Sequence, residues 1–441
     1  MANVIEEGTP RIGYIYDGMK DTPAIPAQLF KRNSRVYLEV PFSPDSPEAA
    51  AWFASEPLMF PYAETNHRDL PSALDFLDSS GSIVLIGCHK AGTRHQLMSG
   101  IGTGRIAVDY AILGAYDARK YSKINGFRSE IEGLGEWMEI KSTKTSFERD
   151  DTKRIKAINI QLKSPPEIKI SRVLNLTIRP SFSYGSGDRP DETKVSERML
   201  VETHTQRARE WQEHLSLHIA IRDLVRVSSW RPLGFHAHQA TSHKDSVTTI
   251  DGSTHGHTWH AVHSIRTLHH SDKRKSGNVD YLFRYSNIGK QGMDRWVRLH
   301  KEYSRAIDPL MSLLELRDAS IETLVAQLGI SLEALGFLVA RHDGLSKEKA
   351  GRETFAQRLS RVSRDLPSLA PFNIDKWIED ASKAYNAVKH ANRDLPDIDF
   401  LAQSYWKSLL IARIWIAKHV GASEDLLKKT LEHDRIRLLI D

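Results

Sequence analysis

Two textures of hydrophobic patterning share the 441 residues. Up to about residue 200, apolar positions form short β-branched or alternating runs at 34–40, 82–86, 105–113, 157–163 and 168–178. Glycine, proline and aspartate clusters separate them, which predicts strands. The run 157–163 (AINIQLK) alternates strictly, so it predicts a strand with one buried and one wet face. Strands this closely spaced, without long helices between them, predict an antiparallel sandwich or barrel. A short helix is expected over 127–138, and 181–191 reads as a glycine- and proline-rich loop. Over 203–227 the period changes, and Trp211, Leu215, His218, Ile219, Leu224 and Val225 predict a helix packed on the sheet. Residues 233–285 return to strand texture ending at 281–285, with a polar, basic surface loop at 271–277.

Beyond about residue 289 the pattern is helical, with segments at 293–307, 321–342, 352–364, 374–392, 400–419 and 423–436. Asp343-Gly344, Asp365-Leu366-Pro367, Pro371 and 394–396 supply the breaks. Connections this short imply antiparallel neighbours and therefore a helical bundle. The expected fold is thus multidomain α+β, with a β-rich, sandwich-like region over 1–290 followed by an all-α bundle over 291–441.

Composition narrows this picture only slightly. A net charge of +5 is small for the length, so any nucleic-acid site must come from local clustering. Cys88 is the single cysteine, which excludes an intrachain disulfide and a cysteine-based zinc site and suits a reducing compartment. The first residues lack a basic-then-apolar leader, and Lys407, Arg413 and Lys418 interrupt the most apolar stretch, 401–420. The chain is therefore expected in the cytoplasm and away from membranes.

Candidate chemistry concentrates in 373–396. Asn373 is a good N-cap, and Ile374, Trp377, Ile378, Ala381, Tyr385 and Val388 form one apolar stripe. Glu379, Lys383, Asn386, His390 and Arg393 fall on the opposite face. A solvated helix face with a Glu379–Lys383 pair would account for these residues by themselves. Within the same helix, Tyr385-Asn386-Ala387-Val388-Lys389-His390 resembles the Arg-Asn-x-x-x-His signature of HEPN domains, helical ribonuclease domains of toxins and abortive-infection proteins. Tyr385 stands where that signature has arginine.

Motifs along the front of the chain resemble the ApeA family of anti-phage effectors. They are Ala111-Ile112-Leu113-Gly114, then Phe127 to Gly135-Glu136-Trp137, and the stretch 69–87. Trp211-Gln212-Glu213-His214 through Arg222-Asp223-Leu224, and Leu282-Phe283-Arg284 through Trp296, extend the likeness. The resemblance implies an abortive-infection effector. Its front domain would sense an infection-derived protein, and a helical homodimer would then cut host RNA, with tRNA as the implied target. No cofactor is implied.

Metal-independent RNA cleavage needs a base for the 2′-hydroxyl, an acid for the leaving oxygen and donors for the charged phosphorane. His390 is the natural proton carrier. Asn386 would orient it or bind phosphate, and Lys383, Lys389 and Arg393 would hold phosphate oxygens. A dimer would bring a second His390 into the same site. Arg358, Arg361 and Arg364, every third residue on the preceding helix, would add a basic edge for an RNA backbone. An exposed face kept soluble by arginine is the alternative. Glu322 or Glu333 would orient His390 or Lys383, unless both are simply solvated.

Two further patterns compete for attention. Histidines crowd 236–270, and His236, His238, His255 and His257 would pair on strand faces as zinc ligands, although surface histidines without metal are the simpler account of the pattern. The glycines of 99–104 precede a strand rather than a helix, so a tight turn explains them better than a phosphate loop. The rival to a nuclease is a catalytically degenerate HEPN scaffold that binds a partner or RNA.

Overall fold

A computed structural model describes all residues except 1–2, 20–21, 44–45, 54–67, 97–100, 188, 190, 249–253, 265–278, 365 and 441. The 271–277 loop, His269, His270, Asp365 and the first two residues of the 99–104 stretch lie outside the described residues.

In chain order the first strands are β1 (Arg11–Tyr16), β2 (Ile25–Arg32), β3 (Arg35–Phe42), β4 (Ala73–Asp78), β5 (Gly81–Ile86) and β6 (His89–His95). Next come β7 (Gly102–Val108), β8 (Tyr110–Leu113), β9 (Ile124–Ile131), β10 (Thr143–Arg149), β11 (Ile155–Leu162) and β12 (Ile168–Lys169). The last are β13 (Thr177–Ser186), β14 (Thr193–Arg209), β15 (Phe235–Thr241), β16 (Ser246–Thr248), β17 (Thr254–His257) and β18 (His260–Ser264). The helices are α1 (Pro47–Phe53), α2 (Leu134–Met138), α3 (Trp211–Ser229), α4 (Tyr285–Glu302), α5 (Ser304–Ser312) and α6 (Ile321–His342). They continue with α7 (Lys347–Arg352), α8 (Phe355–Ser363), α9 (Ile374–Lys389), α10 (Ile398–Val420) and α11 (Glu424–Leu431).

The chain forms two compact units. The first comprises 1–131, 200–216 and 234–271; the second comprises 132–199, 217–233 and 272–441. In the first unit an antiparallel sheet runs from the end of β14 through β9, β15, β18, β8, β5, β4, β1, β2, β3 and β7 to β6. Ile15, Leu29, Leu38, Leu74, Phe76, Ile83 and Leu85 build its core under Trp52. The 102–104 glycines make this packing possible. A Cβ at Gly102 would overlap the Phe42 ring, and one at Gly104 the Phe53 ring, so the two aromatic rings stack 5.6 Å apart over bare backbone.

The second unit carries β10 to β13 and the helices from α4 onward. Its core holds Trp137, Trp296 and Trp377, whose indole nitrogens donate to Phe283 O, Ala220 O and Ser408 Oγ at 2.8, 2.6 and 3.0 Å. Arg413 on α10 is fully buried, donating to Asp434 Oδ1 at 2.8 Å and to the carbonyls of Val227 and Ser228 at 2.9 and 3.0 Å. The expected interruption of 401–420 by this arginine is therefore a matched internal charge, as burial requires. Among the described residues, only α6 is long and apolar enough to cross a membrane, and half of that stretch is buried within the protein.

The antiparallel front and helical rear agree with the sequence reading, while several elements correct it. Residues 127–138 are the end of strand β9 and the short α2, because the Phe127–Ile131 spacing of four satisfies a strand period as well as a helical one. The helix expected from 203 starts at Trp211, since 203–209 belong to β14. Strand β13 runs through Ser186 into the expected loop, and 281–285 form no strand. The 168–178 run breaks at Leu174 and Asn175, both at positive φ, and 105–113 divides at Asp109. The strictly alternating β11 pairs only with β10 as a separate ribbon. Its Ile158 and the opposed Phe147 are each 54% exposed, so no face is buried.

Candidate functional site

Helix α9 begins as its cap predicts, with Asn373 Oδ1 accepting from Lys376 N at 2.9 Å. Trp377, Ala381, Ala384, Tyr385 and Ala387 bury its inner face. The helix ends one residue before the histidine. His390 is the C-cap, with extended φ/ψ, and its backbone N–H donates to Asn386 O at 3.1 Å. The chain then turns, Arg393 N donating to His390 O at 3.0 Å. His390, Lys389 and Arg393 are all exposed, and Asn386 is half-buried. Leaving the helix at Lys389 takes His390 and Arg393 off the single face that periodicity gave them; Lys383 sits elsewhere, its Nζ 5.2 Å from the Phe400 ring.

Tyr385 is buried on the inner face of α9. A Cβ at Gly329 of α6 would overlap its ring, so that glycine provides the bed on which the tyrosine lies. Phe355 packs beside it with ring centroids 4.6 Å apart. The phenol donates to Glu333 Oε2 at 2.9 Å, and burial, reinforced by that carboxylate, holds its pKa well above the ordinary range. Glu333 also meets two cations, Arg358 Nη1 at 2.8 Å and Lys389 Nζ at 3.5 Å. By sequence it is either a solvated carboxylate or one that steers His390 or Lys383; in the fold it ties α6, α8 and α9 together.

The two arginines of α8 and its C-cap Arg364 are matched rather than presented as a free edge. Arg358 is 8% exposed and also donates to the carbonyls of Ala350 and Gly351 at 3.4 Å. Arg361 donates through Nε to Glu353 at 2.7 Å and through Nη1 to Asp343 at 3.2 Å. Arg364 meets the same Asp343 at 3.0 Å, and this arginine holds the Asp343 carboxyl below its usual range. Gly336, where a Cβ would strike Arg358, lets α8 lie close on α6. The sequence-predicted residues brought together here are Tyr385, Lys389 and Arg358 around Glu333, with His390 on the surface at the end of the same helix.

Residues 11–296 match the family described as ApeA N-terminal domain 1. The chain belongs to that family. No curated protein and no solved structure matches it. The match makes this an ApeA-like protein, of the class of anti-phage defence effectors, and it ends before α9 begins.

The ApeA-matched region contains the histidine-rich segment, and its geometry differs from the expected zinc pairs. A bulge between Phe235 and Ala237 leaves His236 exposed while His238 is buried against Ser129 Oγ at 2.8 Å. The two therefore do not share a face, and the His255 side chain lies outside the described residues. His257 instead meets His243, which in turn meets His204, two histidines that spacing had not singled out. Its ring stacks on His243 at 4.2 Å, and His243 Nε2 lies 3.2 Å from His204 Nε2. Trp259 and Arg128 stand beside them, the guanidinium 3.7 Å from the indole centroid. Burial, then the neighbouring His257 and His204, lower the His243 pKa, so the ring is neutral near pH 7. No sequence spacing announces this cluster, because 204, 243 and 257 meet only through strand pairing.

Proposed function

We propose that this ApeA-like chain is an anti-phage abortive-infection effector whose helical region is a HEPN-type, metal-independent endoribonuclease acting at His390. The observation that carries the reading is an imidazole at the solvent-exposed end of α9, one helical turn after Asn386 and flanked by the exposed cations Lys389 and Arg393. An exposed imidazole can exchange protons with a bound 2′-hydroxyl, and exposed cations can reach phosphate oxygens. Asn386 lies at the base of that turn, and Lys383 is exposed one turn earlier. A second His390 from a homodimer would complete the acid–base pair, and RNA, with tRNA as the family-level target, would be the substrate. Residues 1–290 would sense an infection-derived protein and restrain the 291–441 bundle until then. Cleavage of host RNA in phage-challenged cells carrying the wild-type chain, and its loss in His390→Ala, tests this assignment.

One observation favours a second reading, a binding scaffold without catalysis. The position at which the HEPN signature has arginine is a buried tyrosine fixed to Glu333, and Arg358, Arg361 and Arg364 are neutralised by acidic partners. If phage protection survives His390→Ala while RNA stays intact, the scaffold is the correct account.

A further inference from the structure

His204, His243 and His257 reach one spot from three places in the sequence, and the surrounding backbone fixes two of them. Asn125, buried in β9, donates through Nδ2 to Thr205 O and Gln206 O at 3.2 and 2.9 Å, next to His204. Its Oδ1 accepts from the His243 backbone N–H at 2.9 Å. One amide thus holds both histidine-bearing segments. The other end of the 242–245 turn is locked as well: Asp245 accepts from the Tyr121 hydroxyl at 2.6 Å and pairs with His260 Nε2 at 3.1 Å. Ser242 Oγ donates to Lys120 O at 2.7 Å. Glycine at 126 clears the space, since a Cβ there would press on His204, Trp259 and Thr241. The third histidine is delivered by the β16–β17 ribbon, in which Ser246 is paired with His257.

Two nitrogens bound to one tetrahedral zinc at about 2.0–2.1 Å stand about 3.3–3.4 Å apart. The His204 and His243 Nε2 atoms are 3.2 Å apart. Among the described residues no carboxylate or thiolate joins them, and an all-imidazole set suits zinc, nickel, cobalt or copper rather than calcium or magnesium. His257 lies face to face with His243, 21° from parallel, so the three rings do not yet converge on one point. As the side chains stand, no group of three His, Cys, Asp or Glu among the described residues is placed to hold a metal ion. The His257 residue is exposed, and rotation of its side chain would turn a ring nitrogen toward the His204–His243 pair.

We propose that His204, His243 and His257 bind one divalent transition-metal ion, zinc foremost, which clips the β16–β17 ribbon onto the β14–β9–β15 part of the sheet. The fourth position is left to water or to a ligand from outside the chain. Asn125 acts as the positioning residue, holding His204 and His243 at ligand separation before the metal arrives.

The test uses the full chain, stripped with a chelator and titrated with zinc and with cobalt. Expected are one tight equivalent, the visible absorption of tetrahedral cobalt, and a melting temperature that rises with zinc. His243→Gln should abolish the tight equivalent, and His257→Gln should weaken it by at least about tenfold, whereas His236→Gln, altering an exposed histidine outside the cluster, should leave it intact. Absence of a saturating equivalent, or equal zinc affinity in wild type, His243→Gln and His257→Gln, would overturn the proposal and leave the 3.2 Å contact as a hydrogen bond between two rings. Should His243→Gln lose its fold, as judged by the metal-free melt, the exposed His257 position decides the matter alone.

Discussion

Tyr385 separates a structural from a chemical role at the signature position, and Tyr385→Phe is the perturbation that does so. The substitution keeps the ring on Gly329 and beside Phe355, and removes only the hydroxyl that donates to Glu333 at 2.9 Å. A hydrogen bond to a charged group contributes about 1.5–3 kcal/mol. Glu333 is about one-third exposed, and Arg358 and Lys389 still partner its carboxylate after the change. Solvent screening and those remaining partners bring the expected loss down to about 1 kcal/mol. For a unit of this size that corresponds to roughly 2–4 °C in Tm, readable by differential scanning fluorimetry. Tyr385→Ala should cost more, about 3–5 kcal/mol, because it also empties the space above Gly329. RNA cleavage by Tyr385→Phe, measured at a temperature where it is fully folded, should match the wild type. Loss of cleavage without any loss of stability would refute the reasoning and make the phenol part of the chemistry.

Two further outcomes follow from buried ionisable groups. Burial depresses the His214 pKa to about 4, and its ring is held neutral against Thr203 Oγ1 at 2.8 Å. Above pH 6.5 folded and unfolded forms are both neutral, so the full stability is present. As pH falls from 6.5 toward 4 the unfolded chain takes up a proton that the folded one refuses, and stability drops by about 3 kcal/mol in all. Urea denaturation across that range should show the slope, and His214→Leu should flatten it. Asp434→Ala leaves the fully buried Arg413 without its carboxylate, at a cost of about 3–5 kcal/mol, visible as a lowered denaturation midpoint.

Much of the bundle was legible because its helices carry both signals at once, a 3.6-residue apolar period and explicit caps. Ser320, Asn373, Asp397 and Ser423 all accept from a backbone N–H three residues on, and Ile321–His342 has the bounds expected of it. The sheet was less legible where one spacing served two periods, as at Phe127 and Ile131. Alternation in 157–163 correctly marked a strand but not its environment. Burial depends on what covers a face, and among the described residues β10 and β11 pair as strands only with each other. At the candidate site the sequence placed His390 beside Lys389 and Arg393. It did not reveal that the helix stops at Lys389 or that Glu333 draws in Arg358 and Tyr385, because those pairings span 25 and 52 residues. The His204–His243–His257 meeting was hidden for the same reason, since strand register rather than local spacing creates it.

The central claim stands on His390, and one comparison addresses it directly. Bacteria expressing the full chain, wild type or His390→Ala, are challenged with phage, and their RNA is resolved for new cleavage products. His390 is exposed, so the substitution should leave folding within about 0.5 kcal/mol and the two proteins equally abundant. RNA should fragment in the wild-type cells and remain whole in the variant. Identical fragmentation in both would contradict the assignment of the chemistry to this residue.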